Sequence, residues 1–169
     1  NHISNASHET VKVTHFISLL NALFTGAEAI PVLIDGMEKG VRIKTESGSG
    51  RRYLDAYFGN SIIEFEKDLS RTRNTAKQQL KDYASGVWND DGSSKRSLLC
   101  IATDGKFWEI FSPTANVNNF AVPDPDQISL EKFHEFAVEA KSANKFFLWL
   151  SNFLFRKNQI PITANQIQL

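Results

Sequence analysis

Apolar residues at Val13, Phe16, Ile17, Leu20, Leu23 and Phe24 recur at the spacing of one helical face, which predicts a helix from Ser7 to Phe24. Ser7 suits its N-cap, and Gly26 follows where the helix should stop. Glu9 lies one turn before Val13, so an acid falls on the core-facing side of the first turn. Favourable interaction with the helix dipole is one reason for an acid there, and a place in a site is another.

From Ile30 to Lys67 the pattern changes to short apolar runs broken by Gly, Ser and Asp. Val32-Leu33-Ile34 ends at Asp35-Gly36, and Val41 to Thr45 alternates strictly and stops at Ser47-Gly48-Ser49-Gly50. Tyr53 to Phe58 and Ser61 to Lys67 follow, separated by Gly59-Asn60. These runs predict antiparallel strands joined by tight turns. A second helix is expected from Ser70 to Ser85, with Ala76, Leu80, Tyr83, Ala84 and Val87 on its buried side and Gly86 at its end. Asn89 to Lys95 reads as a polar loop. Leu98 to Thr103 and Phe107 to Phe111 make a hairpin around Asp104-Gly105, taken as a two-residue turn. Beyond a Pro- and Asn-rich connection, Ser129 can cap a helix carrying Leu130, Phe133, Phe136, Ala137 and Ala140. A last helix, Asn144 to Phe155, is apolar almost all round.

Composition narrows the classes. The 169 residues carry 19 Lys and Arg against 19 Asp and Glu, so no global field points to a polyanion, although a local basic stripe is still able to bind one. The single cysteine, Cys100, sits in an apolar run, which excludes an internal disulfide and a cysteine-based metal site. Phe146 to Leu150 is too short to span a bilayer and there is no signal-peptide pattern, so a cytoplasmic location is expected. The histidines at 2, 8, 15 and 134 show no ligand spacing. The sequence contains no Gly-rich phosphate loop, nucleophile elbow or Cys/His pair.

Within Ile62-Ile63-Glu64-Phe65-Glu66-Lys67, alternation puts Ile62, Glu64 and Glu66 on one strand face. Two carboxylates about 7 Å apart on an apolar strand repel unless something positive lies between them. Asp55 lies on the preceding strand, where a hairpin brings it beside Glu64. Asp55, Glu64 and Glu66 together are a hard oxygen site suited to Mg²⁺, with Mn²⁺ as the other candidate. Held there, such a cation polarises a phosphoryl oxygen and activates water for attack on a phosphodiester. A solvated acidic strand face is the other reading of the same spacing.

The order Asp55, then Glu64-Phe65-Glu66, then Gln79-Leu80-Lys81-Asp82-Tyr83 on the next helix resembles the PD-(D/E)XK nucleases of the RecB-like branch. Glu9-Thr10-Val11-Lys12 before a helix, and the hairpin Ala102 to Trp108, are similar to segments flanking that core in the N-terminal nuclease domains of type I and type IIG-like restriction-modification enzymes. The resemblance covers residues 7 to 112. It implies an α/β (α+β) fold with a restriction-endonuclease-like core, a central mixed sheet flanked by helices, and additional C-terminal helices. A nuclease domain over residues 1–157 is expected, its helical part over 129–156, with 158–169 either a linker toward a methyltransferase or helicase-like domain or the tail of a self-contained domain with a buried last helix. The implied activity is Mg-dependent endonucleolytic cleavage of DNA. Asp55 and Glu64 would bind the metal, with Glu66 and the Phe65 carbonyl, while Gln79, Tyr83 and Glu9 complete the site.

The family usually has Lys where this chain has Glu66. A Glu-x-Glu variant has precedent there, in which the second Glu binds metal or acts as base. Lys12, Lys44 and Lys77 are the lysines able to reach in from other elements. Arg71, Arg73, Lys77 and Lys81 line the second helix as a solvated face or as phosphate contacts. The alternative function is a catalytically inactive nuclease-like domain that binds DNA, or a protein-interaction domain that docks through its Phe- and Trp-rich last helix.

Overall fold

Strand β4, Ser61–Phe65, is buried along its whole length, and the other elements form around it. The computed structural model describes residues 9–23, 40–45, 48–58, 60–90, 97–115 and 123–154. Before β4 come helix α1 (Glu9–Leu23) and strands β1 (Gly40–Thr45), β2 (Gly48–Tyr53) and β3 (Ala56–Phe58). After it come helix α2 (Leu69–Asp90), strands β5 (Leu99–Thr103), β6 (Phe107–Ala115) and β7 (Ile128–Ala137), and helix α3 (Ala143–Leu154).

The fold is α+β. Strands β3-β4-β5-β6-β7 form one mixed sheet in that order, and β1 and β2 form a separate antiparallel ribbon. Only β4 and β5 pair in parallel within the larger sheet. Parallel neighbours need a crossover between them, and α2 supplies it. Alternation then splits the core into two layers. On one face Ile63, Phe65, Ile101, Trp108 and Ile110 pack against Val13 and Phe16 of α1 and Phe146, Trp149 and Leu150 of α3. On the other, Ile62, Cys100, Ala102 and Phe111 pack against Leu80, Tyr83 and Val87 of α2, joined by Val41 of the ribbon. Trp108 is fully buried, with Phe146 and Phe16 rings at 5.2 and 5.5 Å from its own.

Several expectations need correction. The segment from Ser129, expected as a helix, is strand β7. Its apolar spacing of three comes from a bulge: Phe111 pairs with Lys132 and Ile110 with His134, so Phe133 is skipped. Ile128 and Leu130 therefore pack with the α2 layer and Phe136 with the α1–α3 layer. Among the described residues, a 3-10 turn (Ala140–Ser142) and one α-helix, α3, follow that strand, where helices were expected over 129–156. Gly86 does not end α2, which continues to Asp90. Glycine inside a helix costs about 1 kcal/mol, and burial of Val87 and Trp88 on the same stripe outweighs it. The Gly-Ser stretch at 48–50 begins β2 rather than ending a strand, and the run from Tyr53 to Phe58 breaks at Leu54-Asp55. The expected strand at Val32 to Ile34 and the tail after Leu154 lie outside the described residues.

In the β5–β6 turn Thr103 pairs with Trp108 and the Asp104 N–H donates to the Phe107 carbonyl (3.3 Å), so the two central residues are Gly105, at φ 85°, and Lys106, one position on from the expected Asp104-Gly105. Asp104 ties this turn to α2. Its Oδ1 accepts from the backbone N–H of Lys106 (2.9 Å) and Phe107 (2.8 Å), and Oδ2 from Leu69 N–H (3.1 Å). Asp104→Ala should lower stability by about 1–3 kcal/mol, the cost of orphaning buried donors. Urea denaturation measures it, and an unshifted midpoint would show that water replaces the carboxylate.

Candidate functional site

The β3–β4 hairpin brings the predicted acids together. Ala56 pairs with Ile63, so Asp55 stands one step further on, beside Glu64. The half-buried Asp55 accepts a hydrogen bond on Oδ2 from the Phe65 N–H at 2.8 Å, which fixes its carboxylate at the end of β4. Glu64 is 4% exposed and shares its strand face with Ile62, under α2. Tyr83 and Gln79, one turn apart on α2, come down on the same place, and the Tyr83 hydroxyl hydrogen-bonds with both Glu64 and Gln79.

The electrostatics follow from this packing. Burial pushes the Tyr83 hydroxyl far above the ordinary phenol value, and the negative charges of Glu64 and Asp55 push it further. The hydrogen bond to Glu64 acts in the same direction, and the one with Gln79 opposes it. Tyr83 thus stays protonated and serves Glu64 as a donor. Its folded value lies above its unfolded value of 10.0, so its contribution is complete below pH 10 and is lost as pH rises beyond that. The buried Cys100 thiol, raised by desolvation from 9.0, adds to the same alkaline loss. Tyr83→Phe should therefore flatten the fall of thermal stability at alkaline pH; an identical slope in wild type and variant would assign the fall to other groups.

Glu66 follows β4, is 5% exposed, and donates its N–H to the Thr103 carbonyl at 2.8 Å. Beside it lies Lys12, fully buried on α1. Its Nζ donates to the carbonyls of Glu66 (2.8 Å), Lys67 (2.9 Å) and Asp104 (2.9 Å). Of the lysines named as able to reach in, Lys12 is thus at the end of β4, while Lys77 Nζ lies 5.1 Å from the centre of the Phe111 ring. The side chains of Glu9 and Lys44 lie outside the described residues. Phe65 contributes its N–H to Asp55. Among the described residues, no three His, Cys, Asp or Glu side chains gather as a ready-made metal cage. Mg²⁺ needs no such cage, since one or two carboxylates plus water and substrate phosphate suffice.

Sequence reasoning missed Glu109. Glu64 pairs with Ala102, Ala102 with Glu109 and Glu109 with Glu135, so these positions form one row across the sheet. The Glu109 side chain is 4% exposed and is held by Arg73 at 3.1 Å and Lys132 at 3.5 Å. A lone acid inside the apolar strand Phe107-Trp108-Glu109-Ile110-Phe111 was the available signal, the same one that picks out Glu64. The basic residues expected on α2 are partly engaged within the molecule. Arg73 is tied to Glu109, and Arg71 to Asp68 at 3.2 Å. Lys81 is half-buried.

No family model, curated protein or solved structure matches the chain. Among the described residues, no helix is long and apolar enough to cross a membrane.

Proposed function

We propose that the chain is a divalent-metal-dependent endonuclease domain with a restriction-endonuclease-like core, hydrolysing DNA phosphodiester bonds. The observation that carries this reading is the meeting of Asp55, Glu64, Gln79 and Tyr83, which come from a hairpin and a helix, around one buried carboxylate. A solvated acidic face would leave Glu64 in water, away from the Tyr83 hydroxyl.

Asp55 and Glu64 are the residues that would hold Mg²⁺ or Mn²⁺, with Glu66 and the Phe65 carbonyl as further oxygen donors. The ion would polarise the phosphoryl oxygen and lower the pKa of the attacking water. Tyr83 orients the Glu64 carboxylate through its hydrogen bond, and Gln79 holds the Tyr83 hydroxyl. Glu66 is the candidate base, and Glu9 the candidate outer contact. Arg71, Arg73, Lys77 and Lys81 are the α2 cations that would turn to a phosphate backbone, Arg71 by leaving Asp68 and Arg73 by leaving Glu109. Attachment to a methyltransferase or helicase-like domain belongs to the same proposal.

Plasmid nicking by the chain with Mg²⁺, Mn²⁺ or chelator tests the activity. Manganese binding followed by electron paramagnetic resonance tests the site. Nicking that needs the metal, with Mn²⁺ binding lost in Asp55→Asn, is the expected result; absence of Mn²⁺ binding sinks the catalytic reading. Two observations favour the alternative of a nuclease-like domain that binds without cutting. One is Glu66 in place of lysine, and the other is a Lys12 ammonium already committed to three carbonyls. Docking through α3 has Leu148, 62% exposed, in its favour.

A further inference from the structure

The β1–β2 ribbon takes no part in the site described above, yet its charge is one-sided. Between Gly40 and Tyr53 stand Arg42, Lys44, Arg51 and Arg52 against the single acid Glu46, in a chain of zero formal charge. The register sets Arg42 opposite Arg51, Lys44 opposite Ser49 and Gly40 opposite Tyr53. Positions 40, 42, 44, 49, 51 and 53 therefore share one face of the ribbon, and 41, 43, 50 and 52 the other. Val41 is fully buried in the α2 layer, and on the other face Arg51 and Tyr53 are exposed.

Arg51 and Tyr53 are both exposed, and the guanidinium carbon lies 5.2 Å from the centre of the Tyr53 ring. Gly40 leaves room for it, since a Cβ there would crowd the Arg51 guanidinium. Arginine directly opposite arginine destabilises a strand pair. An anion bound over the pair removes that penalty.

We infer that the face of the ribbon carrying Arg51 and Tyr53 binds a nucleic-acid strand, with Arg51 taking a backbone phosphate and Tyr53 stacking on a base. Cations interleaved with an exposed aromatic ring suit a strand with unpaired bases, where phosphate and π-face alternate. A lipid surface or an acidic peptide uses the cations and has no need of the ring. The ribbon also leads into the acids: Tyr53 is two residues from Asp55, about 7 Å of extended chain. That the ribbon delivers the strand to Asp55 and Glu64 rests on the nuclease reading; binding itself does not.

Fluorescence anisotropy of the whole chain with a short labelled single-stranded DNA, in chelator and across a salt series, tests the inference. Wild type should bind, and Arg51→Ser should reduce the slope of log affinity against log salt by about 0.7. Tyr53→Ala should weaken binding at least about fivefold with the slope unchanged. Thermal melting should show both variants folded, because both side chains are exposed. No binding by wild type, or affinity and slope unchanged in Arg51→Ser, overturns the inference. So does equal binding to duplex DNA or to phosphatidylserine vesicles with Tyr53→Ala silent. Chelator abolishes cleavage, so a chain that binds the strand but never nicks DNA separates failure of the nuclease reading from failure of this one.

Discussion

Glu64→Gln should reduce metal-dependent plasmid nicking to the level seen in chelator while leaving the melting temperature in chelator unchanged or higher. The amide keeps the size of the side chain and an oxygen for the Tyr83 hydroxyl, so packing under α2 is preserved. It loses the negative charge that a hard cation needs. A cation at a phosphoryl centre contributes several kcal/mol, and each 1.36 kcal/mol is tenfold in rate, so a loss of at least about a hundredfold is expected. Without metal, the charge on Glu64 is a liability. It is 4% exposed and stands beside Asp55, so burial and like-charge repulsion both oppose its ionised form. Agarose-gel nicking and calorimetry in chelator measure the two effects. Unimpaired nicking would remove Glu64 from the site, and a fall of many degrees in melting temperature would make it a structural acid.

Lys12→Ala should be the most destabilising single change at this end of the sheet, costing about 3–5 kcal/mol. The ammonium is fully buried, and three carbonyls converge on it, two at the exit of β4 and one in the β5–β6 turn. Alanine leaves a cavity and removes three charge-assisted bonds from oxygens that water reaches poorly. A domain stable by about 5–15 kcal/mol loses a large share of its margin by this. Lys12→Met, which refills the volume, should recover part of the loss and none of the hydrogen bonding. Urea denaturation of both variants measures the two contributions. A loss under about 1 kcal/mol for Lys12→Ala would mean that water enters and satisfies the carbonyls.

The candidate site was legible because its residues sit on elements with clear periods. Alternation put Glu64 opposite in direction to Ile63 and Phe65, and helical spacing put Gln79 and Tyr83 on one side of α2; both geometries are present. Lys12 and Glu109 were harder. Their burial depends on what other elements place over them: the carbonyls at the end of β4 in one case, and Arg73 and Lys132 in the other. Lys12 could be named as a residue able to reach in, but not assigned its acceptors. Local pattern carries no information about such distant partners. Glu109 has on its own strand the same signature as Glu64, yet only pairing through Ala102 puts the two in one row.

The sequence by itself determined the main helices, the strands around Ile62 and Ile101, the hairpin at Gly105 and the nearness of Asp55 to Glu64, because each follows from local period or turn chemistry. Tertiary structure decided what lay between two such signals. The spacing of Leu130, Phe133 and Phe136 fits a helix, and pairing with β6 through a bulge makes it a strand. Gly86 stops a helix in isolation, and burial of Val87 and Trp88 carries α2 through it. The ribbon of Gly48 to Tyr53 has little strand propensity of its own and exists by pairing with β1 and by docking on α2. In each case the local preference is worth a kcal/mol or so, and the burial or pairing energy that overrides it comes from residues distant in the chain.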